Sequence, residues 1–160
     1  MGIYLRELKE DDVESIFSIT SDSVGGKFMR YGPQKDIEET KKLIKKYSTK
    51  PNLGFAIIDC DSDKLVGYMG LEGDENDSFC MSMMISPNYR SKGSGAYVIS
   101  KMKELIDDKS YNVKSLQAYV VGDNIASRRI LDKNGFEVIK RFEYDDVPQG
   151  LYVYLYPPKK

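Results

Sequence analysis

The sequence predicts an α/β (α+β) domain in which a mixed, mostly antiparallel central sheet is flanked by helices. Three observations carry this. Alternating apolar runs of strand length lie near both ends of the chain and three times in succession near its middle. Apolar residues at helical spacing fill stretches between them, and the second half alternates strand, helix, strand, helix. No internal repeat or low-complexity linker interrupts this order, so residues 1–160 read as a single domain. A domain of that length buries about two-thirds of its unfolded surface.

Taken in order, Gly2 to Leu8 alternates and reads as a short strand. Asp11 to Glu14 is a capping box, with Val13, Ile16 and Phe17 on one face of the helix it opens. SDSVGGKFMRYGP is a glycine-bearing loop that carries Phe28, Met29 and Tyr31. A second capping box, Asp36 to Glu39, opens a helix whose Lys41, Lys42, Lys45 and Lys46 crowd its C-terminal half. That polarity suits the helix dipole, and the lysines read as a solvated face. LGFAIIDC and LVGYMGLE form a hairpin around DSDK, and GDENDS leads into FCMSMMI, where Phe79, Met81, Met83 and Ile85 share one face. These runs make a three-strand antiparallel meander. Ala96 to Asp107 is helical, with Val98, Ile99, Met102, Leu105 and Ile106 at the right spacing. KSLQAYVV is a strand, a helix runs from near Asn124 to a stop at Gly135, and DDVPQG joins the last strands, FEVIKRFEY and LYVYLY.

Composition narrows the functions. Formal net charge is −1, from 24 basic and 25 acidic residues, which leaves no electrostatic footprint for nucleic acid or an anionic membrane. MGIYLRELKEDD turns polar at once, unlike a secretion signal, and no apolar run reaches membrane-spanning length. The expected location is the cytoplasm, where two cysteines without metal spacing, Cys60 and Cys80, serve as small apolar residues. Histidine is absent, which removes the commonest general base and metal ligand. Catalysis must then use carboxylates, tyrosines, hydroxyls or the backbone, and no metal site is expected.

One loop stands out, SPNYRSKGSG from Ser86 to Gly95, between FCMSMMI and AYVISKMKELI. The first two helices supply their own anions through capping boxes. The helix after Gly93 begins Ser94, Gly95, Ala96, Tyr97, Val98 and has no carboxylate in its first turn. Its unpaired N–H groups and the positive end of its dipole are open to an anion, with Arg90 and Lys92 just ahead. Gly93 and Gly95 let a ligand approach the backbone. Together these features make a phosphate cradle. A Walker loop needs Gly-Lys-[Ser/Thr], which is missing, and a dinucleotide fingerprint needs glycine where Val98 stands.

The spacing Arg90-x-x-Gly93-x-Gly95, after an antiparallel strand and opening a helix, resembles the acetyl-CoA loop of the GNAT acyltransferase superfamily. The resemblance covers nearly the whole chain. Downstream, Asn124-x-x-Ser127 to Lys133-Asn134-Gly135-Phe136 looks like that family's second cofactor motif, in the form carried by the branch resembling ribosomal-protein N-terminal acetyltransferases. The resemblance implies acetyl-CoA as cosubstrate and the GNAT fold. It implies that backbone groups at Met83 and Ile85 pair with pantetheine, which needs the meander strand to splay from the strand at 115–121. It implies that the amides of Ser91, Lys92, Gly93, Ser94, Gly95 and Ala96 hold the pyrophosphate. Asn124 would bond the pantetheine arm and also cap its helix, and Arg129 or Lys133 would lie near the adenosine phosphate.

Acetyl transfer to an amine needs a neutral amine, a stabilised carbonyl oxygen and a protonated leaving thiolate. Many relatives place a tyrosine seven residues after the asparagine for the last task. Here that residue is Leu131. In the ribosomal-protein branch a serine is the thiol partner, which makes Ser127 the candidate, against the alternative of a small residue where cofactor passes. The strand that carries a base in relatives has Phe79 and Cys80 here, which leaves Glu143, Asp145 and Asp146 as candidate carboxylates, and the resemblance implies Asp146, which falls where some ribosomal-type relatives carry a base. A terminal α-amine with a pKa of about 7.7–8.0 is roughly a tenth neutral at pH 7, against about one part in 2,500 for lysine. Without a strand base, a low-pKa amine such as a protein N-terminus is the easier acceptor, while the acidic turn at 143–146 would equally attract a polycation such as a polyamine, an aminoglycoside or other small amine. The acceptor site would be shaped by residues 24–33 and 143–150. The protein would be a monomer or homodimer, and the competing reading is a non-catalytic acyl-CoA-binding sensor or scaffold of the same fold.

Overall fold

The computed structural model describes residues 2–22, 33–89 and 93–158. The chain divides into two compact units, one of Met1–Glu72 with Ser82–Ser94 and one of Gly73–Met81 with Gly95–Lys160. Most of the strand pairings within each unit are antiparallel, as the alternating runs required.

In the first unit β1 (Ile3–Glu7), β2 (Leu53–Asp59), β3 (Leu65–Gly73) and the C-terminal half of β4 (Ser78–Ile85) lie in that order. β1–β2 and β2–β3 are antiparallel, with Leu5 opposite Ile57 and Phe55 opposite Met69. Ser86 N donates to Val66 O at 2.7 Å where β4 ends beside β3. Helices α1 (Val13–Thr20) and α2 (Ile37–Tyr47) contribute Ile16, Ile19, Ile44 and Tyr47 to a buried cluster with Ala56, Ile58, Tyr68 and Met84 of the strands. Thr20 and Thr40, both 0% exposed, each donate a hydroxyl hydrogen bond to Gln34 Oε1 at 2.5 Å, so one amide oxygen ties α1 to α2.

The two capping boxes fare differently. At α2, Glu39 N donates to Asp36 Oδ1 at 3.1 Å and Glu39 Oε2 accepts from Lys35 N. At α1 the expected Asp11–Glu14 box does not form. Asp12 turns its carboxylate back instead, accepting from Lys9 N at 2.8 Å and from both terminal nitrogens of Arg6 at 2.8 and 2.9 Å. A part-buried bidentate pair reaching to β1, together with the cap on Lys9 N, takes the place of the expected box.

In the second unit the N-terminal half of β4 is followed in the sheet by β5 (Ser115–Val121), β7 (Val147–Tyr156) and β6 (Glu137–Tyr144). The β4–β5 pairing is parallel, so it needs a crossover, which α3 (Ser94–Asp107) supplies. The β5–β7 and β6–β7 pairings are antiparallel. Val98 and Met102 of α3, Leu116 of β5 and Tyr154 of β7 are completely buried, and α4 (Ile125–Lys133) adds Leu131 to the buried set.

The turn expected over DDVPQG shrinks to Asp145–Asp146, because Tyr144 pairs with Val147 and β7 begins there. Pro148 is tolerated because the β5 ladder on β7 begins only at Leu151, and the last hydrogen bond on that side runs from Gly122 N to Gly150 O at 3.0 Å, so position 148 is asked for no N–H there. Gly150, at φ 76°, takes up the bend opposite the register shift between Phe142 and Tyr144.

Candidate active site

The β4 strand carries the first part of the site. Its parallel ladder with β5 runs from Ser78↔Ser115 to Met81↔Ala118, while β4 itself continues to Ile85 and β5 to Val121. Backbone polar groups on a strand alternate in direction. Ser86 N faces β3, so the groups of Met84 and Ser82 do too, and those of Met83 and Ile85 point to the other flank. The burial pattern departs from the expected one-sided face: Met83 is half-buried, whereas Ile85 and Met84, on opposite faces, are both buried. Ser82 lies within 3.4 Å of the hydroxyl of Tyr68, a fully buried tyrosine whose pKa burial pushes up to about 12.

The loop begins with a short 3-10 turn, Pro87–Tyr89, whose Tyr89 N donates to Ser86 O at 2.9 Å. Arg90, Ser91 and Lys92 lie outside the described residues, as does most of the expected acceptor loop over 24–33. Gly93 has a φ of 79°, a conformation glycine adopts at little cost. Helix α3 starts at Ser94, two residues earlier than its apolar spacing suggested, and has no acidic residue in its first turn. Ser94 is buried, Gly95 half-buried and Ala96 exposed. Gly95 and Ala96 therefore sit within the first turn, where amide groups lack intrahelical acceptors.

The second unit carries the other motif. Asn124 caps α4, its Oδ1 accepting from Ser127 N at 3.3 Å. Capping uses only the oxygen, so the NH₂ of the same side chain remains a donor for a carbonyl. Ser127 is half-buried, and its hydroxyl makes no hydrogen bond among the described residues. Arg129 and Lys133 are exposed, while Leu131 is buried in the core.

Arg128 was not singled out by the sequence. Its Nε donates to Tyr154 Oη at 3.2 Å, a terminal nitrogen donates to Gly122 O at 3.3 Å, and the guanidinium lies 3.9 Å over the Tyr152 ring. The Tyr154 hydrogen bond raises its pKa further. This side chain pins the start of α4 to β7. Nothing in a lone basic residue beside Arg129 announces that role, because its partners are far along the chain.

Of the acidic-turn candidates, Glu143 is engaged with Arg141 at 3.1 Å. Asp145 and Asp146 form the exposed hairpin turn. Among the described residues no group of three or more Asp, Glu, Cys or His side chains is placed to hold a metal ion. None of the described helices is long and apolar enough to cross a membrane.

The acetyltransferase (GNAT) domain family matches residues 3–137, and the chain belongs to it. A Bacillus subtilis (strain 168) protein described as uncharacterized N-acetyltransferase YoaA is 25% identical over 162 aligned positions, covering 95% of this chain and 91% of that protein. Two solved structures illustrate the shared fold. The Vibrio cholerae spermidine N-acetyltransferase in complex with CoA and spermine superposes with a TM-score of 0.82 at 17% identity, covering 96% of this chain and 94% of that one. A GNAT-family acetyltransferase from Bacillus anthracis gives 0.79 at 19% identity, covering 97% and 93%.

Proposed function

We propose that this protein transfers an acetyl group from acetyl-CoA to a primary amine by direct attack, as one GNAT domain over residues 1–160 acting in the cytoplasm. The observation that carries the reading is the short β4–β5 ladder, which stops at Met81↔Ala118 while both strands run on. The backbone of Met83 and Ile85, facing away from β3, is then suited to pair with an extended amide-bearing arm. Pyrophosphate would lie on the first-turn amides of α3, among Ser91, Lys92, Gly93, Ser94, Gly95 and Ala96, with Arg90 beside it. Asn124 would donate through its NH₂ to the arm while its oxygen caps α4. Arg129 or Lys133 would meet the adenosine phosphate.

When bound, acetyl-CoA supplies an activated acetyl group. The chain's part is to hold it, take a proton from the attacking amine and return one to the departing sulfur. Ser127 would hydrogen-bond that sulfur, directly or through water, since Leu131 has no proton to give. Asp146, exposed at the hairpin turn, would be the base or attract a cationic amine. The N-x-x-S and K-x-G-F pattern supports the ribosomal-protein N-terminal branch and a peptide α-amine as acceptor, while the spermidine enzyme of like fold makes polyamines the first small amines to test.

The test is calorimetry with CoA, ATP and NAD, followed by thiol release from acetyl-CoA across peptide N-termini and polyamines. The expected result is binding of CoA alone and release with at least one amine class. Tight ATP binding without CoA binding would sink the reading, and CoA binding with no release on any amine would favour the sensor instead.

A further inference from the structure

Tyr89 is the last described residue before the Arg90-x-x-Gly93-x-Gly95 loop, and its hydroxyl is committed elsewhere. It donates to Asp59 Oδ2 at 2.9 Å across 30 residues of sequence. Asp59 ends β2, and the same oxygen accepts from Ser62 Oγ at 2.8 Å while Asp61 N reaches the other oxygen. The β2–β3 turn is thereby fixed around that carboxylate. Ser86, at the other end of the segment, is fixed to β3 through Val66 O. The stretch Ser86–Tyr89 is thus tied to the β2–β3 hairpin at both ends, by a backbone bond at one and by the tyrosine at the other.

We propose that Tyr89 and Asp59 are positioning residues for the phosphate loop: their hydrogen bond sets where the chain enters the loop, and so its affinity for the diphosphate half of CoA. This rests on the reading of that loop as a pyrophosphate site. A hydrogen bond to a carboxylate has the strength for it. Tyr89 touches neither pantetheine nor the acetyl group in this scheme, so its loss acts on one half of the ligand only.

The experiment is titration of CoA and of pantetheine, which lacks the diphosphate and adenosine, into the wild type, Tyr89→Phe, Asp59→Ala and the double variant. Tyr89→Phe removes only the hydroxyl. The expected result is a rise of about fivefold in the Kd for CoA, half or more of the tenfold that corresponds to 1.4 kcal/mol, with the Kd for pantetheine unchanged. Because one bond is shared, the double variant should lose no more than Asp59→Ala alone. An unchanged CoA affinity in Tyr89→Phe, an equal loss on both ligands, or additive losses in the double variant would overturn the proposal. A wild type that binds pantetheine as tightly as CoA would overturn the phosphate-loop reading beneath it, an outcome separate from any behaviour of the variants.

Discussion

Asp12 shows how one side chain can redirect a local rule. Burial alone would raise its pKa, but hydrogen bonds from Arg6 and from Lys9 N outweigh that and hold it below the ordinary carboxylate range. A depressed folded pKa means the stabilisation is whole above the unfolded value of about 3.9 and is lost as pH falls through the folded one. Asp12→Asn should therefore cost about 1.5–3 kcal/mol at pH 7, the range for hydrogen bonds to a charged group. Urea midpoints measured from pH 7 to pH 2 should show the gap between variant and wild type closing at the acid end. A gap that stays constant would mean the charge is irrelevant. Ser127 is the residue on which the chemistry is most exposed to test. Its backbone N–H serves the Asn124 cap, and Ser127→Ala keeps that donor while removing the hydroxyl. Turnover should fall about tenfold or more, at or below the bottom of the roughly 10²–10⁴-fold range of general-acid help because a serine is a weak acid, with acetyl-CoA affinity nearly unchanged. Full turnover in the variant would make Ser127 a packing residue. Both sites were half legible: the capping boxes and the N-x-x-S motif are local patterns, but Arg6, Arg128 and Tyr89 act on partners the sequence does not bring near.

At the scale of elements, strands with one apolar face were readable because alternation repeats every second residue. The glycines within them were not. Gly54 and Gly70 face each other across β2 and β3, and α2 ends with Tyr47 laid over both. A Cβ at Gly70 would stand 2.5–2.6 Å from the tip of that ring, and one at Gly54 would stand 2.7 Å from Tyr47 Cβ. The pair of glycines is a seat for the helix's last aromatic residue. Gly70→Ala should destabilise the protein by about 1–3 kcal/mol, as overpacking does. Chemical denaturation of Gly70→Ala, Tyr47→Leu and the double variant checks this: shortening residue 47 should recover part of the loss, whereas strictly additive effects would mean the ring is not the obstacle. The missed start of β7 has a related cause. DDVPQG is rich in turn residues, yet Pro148 and Gly150 are compatible with a strand whose ladder to β5 begins only at Leu151 and whose pairing with β6 is bulged.

For the whole molecule, the order of elements was legible because it follows from a chain of local patterns, and the family match over residues 3–137 agrees with it. Less could be read about how far each ladder extends, since strand length does not reveal where pairing stops. The β4–β5 ladder is the case in point. Past Met81, β4 presents alternate amides to β3 and to the opposite flank. Solvent exchange reads such a division directly, since an amide exchanges at a rate set by how often its hydrogen bond opens. In the free protein Met84 NH, held toward β3, should exchange more slowly than Met83 NH. Saturating CoA should slow Met83 and leave Met84 nearly as it was, so two consecutive methionines become a built-in pair of reporter and control. If Met83 exchange ignores CoA, the arm does not run along this strand. On the proposed reading, a strand whose ladder ends before the strand itself does would be an unfinished sheet that bound acetyl-CoA completes and the departing CoA reopens.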